Sequence, residues 1–295
     1  MTVLKKLVKL SFVFILFLGC DKPIKTFSYS SYALGTNFNV LYNSYDPIAN
    51  FDKLSDSIFD ALNKSMSTYI RESDISKINS GDSLVKVDKN FIKVFKKSKS
   101  IWKSTNGYFD PTIGILTNAY GLGPNTVPNF LINVDSILAF TGFEKVNINK
   151  GLVDIKKGMF LDFNAIAKGY AVDLISELLI KNGIQSYLID IGGEMFASGI
   201  NTVSNSKWRV GISDPLKPEN SKQKIYLQNK ALASSGNYRK FLIDPRTGDK
   251  IVHTINPKNG NANQTNILST SVIADDCMTA DGYSTAFMAM PLELS

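Results

Sequence analysis

Histidine and cysteine are nearly missing from this chain: among 295 residues there are one histidine, His253, and two cysteines, Cys20 and Cys277. Zinc sites and iron–sulfur clusters need about three or four such ligands, so neither can be built. Any bound metal would be a hard cation held by oxygen. Charge of one sign is also scarce. The formal net charge is +7, but three of the lysines (Lys5, Lys6, Lys9) stand in the first nineteen residues, which contain no acid, and the rest of the chain carries only +4. That surplus is too small to argue for nucleic acid as a partner. The N-terminal apolar run, Leu10 to Leu18, is nine residues long, well short of the roughly 20 that a permanent membrane span requires.

What is present is a globular composition, 44% apolar and 20% charged. Such a chain can bury a core as one large domain or two small ones and is neither disordered nor fibrous. The basic start followed by a short apolar stretch reads as a signal peptide over residues 1–19. Gly19-Cys20 closes it, and a cysteine after a small residue at this point resembles a bacterial lipobox, in which the cysteine is lipidated and becomes the mature N-terminus. Phe17 stands where a lipobox usually has leucine. With Cys20 acylated, Cys277 would have no disulfide partner and reads as a small buried filler. Residues 20–32, polar and rich in Ser and Tyr, are expected to form the lipidated end and a tether, leaving 33–295 as a single domain.

Within that domain Leu54, Ile58, Phe59, Leu62 and Met66 recur at helical spacing, as do Phe91, Val94, Phe95, Ile101 and Trp102. A third helix is predicted from about Ala165 to Lys181, stopped by Asn182-Gly183. Strands are predicted at Gln185–Ile191, Trp208–Ser213, Lys224–Leu227 and Ile267–Ala274, and a closing helix over Asp275–Met290. Strands and helices interleave without a βαβ period, so the expectation is a mixed α/β or α+β domain, not a Rossmann fold or a TIM barrel.

Four clusters invite a chemical reading. Asp281 and Thr285 stand four apart, so both oxygens share one helix face and could hold Mg²⁺ together with substrate phosphates. By spacing alone, an acid complementing the helix dipole beside a packed threonine is the commoner arrangement. Gly192-Gly193 after a strand permits close approach of a ligand, or simply a tight turn. His253 lies in a loop marked by Asn256-Pro257 and Asn259-Gly260, and Asp110 before Pro111 is an ordinary turn former.

Taken in order, however, the pieces resemble the ApbE family of flavin transferases. The likeness runs through Ala33-Leu34-Gly35-Thr36, Ser67-Thr68-Tyr69, Ser73 to Asn79, Gly107 to Thr112, and Ala165-Ile166-Ala167-Lys168-Gly169-Tyr170. It continues through Asp190 to Glu194, Trp208 to Pro215, Ser235-Gly236-Asn237-Tyr238, the His253 loop, and Ala280-Asp281 with Thr285. The resemblance implies that FAD is bound and that its FMN portion is transferred, with a divalent cation, through a phosphoester to a Thr or Ser of an exported protein, AMP leaving. It implies Asp281, Thr285 and the backbone carbonyl of Ala165 as Mg²⁺ ligands, and Lys168 at the FAD site. It further implies Leu34, Tyr69, Phe109, Asp110 and Ile255 as cofactor contacts, and His253 at the site, where it could be the general base. The family's usual acceptors are exported subunits of Na⁺-translocating NADH:quinone reductase or Rnf-type complexes, and a lipid anchor would place this chain on a membrane facing the periplasm or cell exterior. Departures include Leu34 where the family often has Met, Asn164-Ala165 for Gly-Gly, Asn256 for Asp, and Ser234 for Thr. Family members also usually continue past the closing helix into a final segment. An FAD pyrophosphatase using the same groups, or a noncatalytic flavin-binding lipoprotein, remains an alternative, although a mere binder need not keep metal ligands.

The anchoring expectation has a direct check. Cys20→Ser should shift the protein from the membrane to the soluble fraction or block leader cleavage, read by fractionation and intact mass; unchanged attachment and processing would overturn it.

Overall fold

The computed structural model describes residues 22–124, 126–238 and 241–295, without the side chains of 218–222. The signal peptide and Cys20 lie outside the described residues. In chain order the elements are β1 (Lys25–Ala33), β2 (Thr36–Ser44), α1 (Phe51–Met66), α2 (Asp74–Asn79), α3 (Lys89–Ser104), α4 (Gly114–Ala119), α5 (Val134–Leu138), β3 (Asn147–Asn149), β4 (Leu152–Asp154) and α6 (Ala167–Lys181). There follow β5 (Tyr187–Ile191), β6 (Glu194–Ser198), β7 (Trp208–Asp214), β8 (Lys217–Leu227), β9 (Lys230–Gly236), β10 (Phe241–Ile243), β11 (Lys250–Val252), β12 (Ser269–Ala274) and α7 (Cys277–Ala289).

The central sheet has the order β1-β2-β5-β6-β9-β12 and every neighbouring pair is antiparallel. It neither closes into a barrel nor contains a parallel βαβ unit, as the irregular interleaving of the sequence implies. On β5 the buried Tyr187, Ile189 and Ile191 alternate with half-buried residues, placing one face against the helices. Phe38 of β2, fully buried, meets Phe59 of α1 edge to face at 5.0 Å, a favoured geometry for aromatic quadrupoles.

The helices begin where side chains cap them. Asp88 Oδ1 accepts from Phe91 N at 2.8 Å to start α3, and Asp276 Oδ1 accepts from Thr279 N at 2.8 Å to start α7. Two smaller apolar clusters flank the main core. Leu116, Leu122, Ile251, Ile255 and Ala262 pack under the His253 loop, and Trp208, Val210, Leu227 and Leu232 pack under the β7–β8 hairpin.

Two expectations change. The segment 20–32 is not all tether, because Lys25–Ala33 pairs with β2 along its whole length and sets Phe27 and Tyr29 against the core. Leu54, counted with the inward face of α1, is 39% exposed; Phe51 and Ser55 take the buried positions instead. Cys277 is a free, fully buried cysteine, as expected.

The closest helix contact is α6 on α7. Asp173 accepts from Cys277 N at 2.8 Å and Met278 N at 3.0 Å, and one turn earlier Gly169 N donates to Asp281 Oδ2 at 2.9 Å. A Cβ at Gly169 would lie 2.4 Å from the Cys277 carbonyl oxygen and 2.8 Å from Asp281 Cβ. Gly169→Ala should therefore force the helices apart and lower stability by about 1–3 kcal/mol, measured as a shift of the urea midpoint.

Candidate functional site

A two-residue hairpin turn between β1 and β2 supplies the first wall. Ala33 pairs with Thr36, so Leu34 and Gly35 form the loop with φ of 50° and 76°, the combination of a type I′ turn. A leucine held there costs on the order of 1 kcal/mol. Its side chain lines a lobe of about 560 Å³ between this turn and the C-terminal end of α1. A second lobe of about 370 Å³ lies beyond it, walled by Phe109, Asp110, Ile113, His253 and Ile255. Tyr69, Asn164 and Lys168 border both lobes and form the waist of one cleft.

The chemistry gathers near that waist. Lys168, in the first turn of α6, pairs with Glu194 Oε2 at 2.6 Å, and Glu194 is 2% exposed. Asp281, equally buried, faces the same cleft from α7, and Thr285 follows one turn later. Burial works against the Lys168 ammonium, yet Glu194 and Asp281 beside it outweigh that and raise its pKa, so it stays charged. For Glu194 and Asp281 burial dominates and raises both carboxyls, with Lys168 pulling the other way. One ammonium thus serves two buried carboxylates.

Asp281 is not a dipole-complementing acid at a helix start: Asp276 fills that role, and Asp281 sits in the second turn with its Oδ2 on Gly169 N. Gly169 N is one of the first N–H groups of α6, which have no partner within the helix, and Asp281 accepts from it; Ala165 lines the cleft in the turn before α6. Asp281, Thr285 and the Ala165 carbonyl are hard oxygen donors, and the unbalanced negative charge beside them suits a divalent cation. Among the described residues no cluster of three or more His, Cys, Asp or Glu side chains could hold a metal alone. The donor set fits Mg²⁺ completed by phosphate oxygens.

Every site residue expected from the sequence within the described chain borders the cleft: Leu34, Tyr69, Phe109, Asp110, Ala165, Lys168, His253, Ile255, Asp281 and Thr285. Asp110 also keeps its turn-forming role. Its Oδ1 accepts from Thr112 N and Oγ1 at 2.8 and 2.6 Å, and its Oδ2 from Phe143 N at 3.1 Å. β11 ends at Val252 and delivers His253 to the wall, with Ile255 anchored in the cluster below.

Glu194 and Ser235 fall in segments that carry the family likeness but receive no role from the sequence, and Asp162 is not singled out there. Glu194 directly follows the Gly192-Gly193 turn, which is the one signal that could have found it. Ser235 Oγ lies 2.8 Å from Ser284 Oγ and 3.4 Å from Thr285 Oγ1. Asp162 accepts from Asn164 N at 2.7 Å and Nδ2 at 3.2 Å, yet burial pushes its carboxyl up to about 6.

The whole is an antiparallel mixed α/β domain with a two-lobed cleft and buried oxygen donors in the lobe beyond the waist. Solved structures of that architecture include a flavin transferase ApbE from Vibrio cholerae (TM-score 0.80, 28% identity, covering 90% of this chain and 87% of that one). The apo flavinyl transferase ApbE of Pseudomonas stutzeri matches similarly (TM-score 0.80, 28% identity, 90% and 85% coverage). A relative from Vibrio cholerae serotype O1, named FAD:protein FMN transferase, is 32% identical over 94% of this chain and 85% of its own length. The ApbE family model matches residues 34–295, and the chain belongs to the ApbE family.

Asp162 gives this site a pH signature. Its raised pKa means that the folded state binds its proton more tightly than the unfolded chain does, so its contribution to stability is full below about pH 4 and is lost as pH rises through about 6. Asp162→Asn, which cannot ionise, should gain stability relative to wild type on going from pH 4 to pH 7, read by urea unfolding at both values; a constant difference would contradict this.

Proposed function

We propose that this protein cleaves the pyrophosphate of FAD and transfers FMN, through a phosphoester, to a Thr or Ser hydroxyl of an exported acceptor protein, releasing AMP. The observation that carries the reading is the cleft's form: two lobes with aromatic and aliphatic walls that share Lys168, with Asp281 and Thr285 in one of them. FAD has the same layout, two ring systems joined by a pyrophosphate. Relatives named FAD:protein FMN transferase support it.

In this reading Tyr69 and Leu34 hold one ring system and Phe109 and Ile255 the other, while the Lys168 ammonium, kept charged by Glu194, pairs with the phosphates. Asp281, Thr285 and the Ala165 carbonyl would hold Mg²⁺, which when bound neutralises charge developing on the phosphate oxygens. His253, on the cleft wall, takes the proton of the attacking hydroxyl as general base. The P–O bond to AMP breaks as the bond to the acceptor oxygen forms, and AMP leaves with the bridging oxygen. The acceptor is an exported protein such as an Rnf-type or Na⁺-translocating NADH:quinone reductase subunit. A lipid on Cys20 would hold the enzyme at the membrane on the periplasmic or outer side, where such acceptors are found.

The test is incubation with FAD, Mg²⁺ and an exported Rnf-type acceptor subunit, followed by intact mass spectrometry. Covalent FMN on the acceptor with an equal amount of AMP is the expected result; rapid formation of free FMN and AMP with no labelled acceptor would replace transfer by hydrolysis. Asp281→Ala should abolish the Mg²⁺-dependent reaction, and His253→Ala should slow transfer by about 10²–10⁴-fold with little loss of stability. A fall in melting temperature that accounts for the lost activity would make His253 structural instead.

A further inference from the structure

Thr285 borders the cleft from α7, yet a hydroxyl oxygen serves a cation only when its own proton points elsewhere. Inside a helix the usual acceptor for a threonine proton is the carbonyl one turn back, here that of Asp281. Ser284 has taken it: Ser284 Oγ donates to the Asp281 carbonyl oxygen at 2.9 Å.

The contacts around Ser284, which is fully buried, fix the direction of each neighbouring proton. A carbonyl oxygen only accepts, so the single Ser284 proton lies towards Asp281. Ser235 Oγ, 2.8 Å from Ser284 Oγ, must then be the donor of that pair. With its proton so directed, Ser235 offers only lone pairs to Thr285 Oγ1 at 3.4 Å, and Thr285 is the donor there. This last contact is long, but its polarity is set by the other two. The relay runs from Thr285 through Ser235 and Ser284 to the Asp281 carbonyl, and so begins and ends on the two residues whose side chains would hold the metal.

The sheet keeps the relay in register with α7. Ser235 of β9 pairs with Thr270 of β12, which places both side chains on one face. Thr270 Oγ1 donates to the Ser284 carbonyl at 2.7 Å. Adjacent strands therefore grip Ser284 at its hydroxyl and at its carbonyl, one residue before Thr285.

We propose that Ser235 is a positioning residue for the cation site: by accepting the Thr285 proton it turns the lone pairs of Thr285 Oγ1 towards the cleft, where Mg²⁺ would be held. The inference rests on the metal reading given under the proposed function. Without Ser235 Oγ, and with the Asp281 carbonyl already engaged, the Thr285 proton is free to swing towards the cleft, where it opposes a cation. In this role Ser235 acts only through Thr285.

Calorimetric titration of Mg²⁺ into the whole protein holding ADP, a diphosphate without the flavin, tests this for wild type, Ser235→Ala and Ser235→Thr. Ser235→Ala should weaken Mg²⁺ binding by about three- to tenfold, the effect of one hydrogen bond. Ser235→Thr keeps the hydroxyl and should bind Mg²⁺ within about twofold of wild type, as should ADP bind to both variants when Mg²⁺ is left out. The Mg²⁺ concentration giving half-maximal FAD consumption should rise in Ser235→Ala by the same factor as the dissociation constant. Should Ser235→Ala fail to fold, Ser235→Cys, whose sulfur is a weak acceptor, takes its place. Equal Mg²⁺ affinity in wild type and the variant lacking the hydroxyl, the same loss in Ser235→Thr, or equal losses of ADP and Mg²⁺ affinity would overturn the relay. Absence of Mg²⁺ binding by the wild-type protein would overturn the metal reading and the relay with it, and is seen before any variant is compared.

Discussion

The site depends on how closely α6 approaches α7. Only a residue without a Cβ can stand at 169, and that closeness lets a backbone N–H of one helix reach a carboxylate of the other. Asp173, one turn further along α6, ties down the first two amides of α7. The two contacts lie on one face of α6 and lock both the distance and the rotation of α7. From that register follow the positions of Asp281 and Thr285. Displacing α7 by an ångström would dissolve the donor set while leaving both helices intact.

Around this contact the electrostatics are arranged by scarcity. Glu194 and Asp281 are both buried, and the one ammonium between them is Lys168. Burial raises both carboxyls, so the group is stable in water-poor surroundings only with further positive charge or a proton. Buried carboxylates that a single lysine does not satisfy are the surroundings in which a divalent ion would be held. Lys168 keeps its own charge, and so can serve a phosphate as well as Glu194.

The cleft walls are held partly by the main core, which includes Phe109 and against which Leu34 packs, and partly by a satellite cluster. Leu34 is placed by a strained hairpin turn, and His253 by a loop anchored in a small satellite cluster through Ile255. Such elements adapt more readily than the central sheet.

Much of this was legible in the sequence. Helical periodicity located α1, α3 and α6, Asn182-Gly183 marked the end of α6, and the absence of a βαβ period gave a mixed fold, because these signals depend on residues a few positions apart. The scarcity of His and Cys restricted any metal to oxygen ligands, and the ordered motifs carried the family likeness. Other features were beyond its reach. Alternation in the polar segment before Ala33 did not announce β1, whose place is set by pairing with β2 and by the burial of Phe27 and Tyr29 against a core made elsewhere. Nor could spacing show whether Asp281 served the helix dipole or a ligand, since the answer lies with Gly169, 112 residues away. Glu194 looked like the tail of a turn until β6 carried it to Lys168. The sequence by itself determined which groups were available and which local elements would hold them. Only the tertiary structure decided which groups meet, because charge, burial and hydrogen-bond partners are properties of contacts between segments distant along the chain.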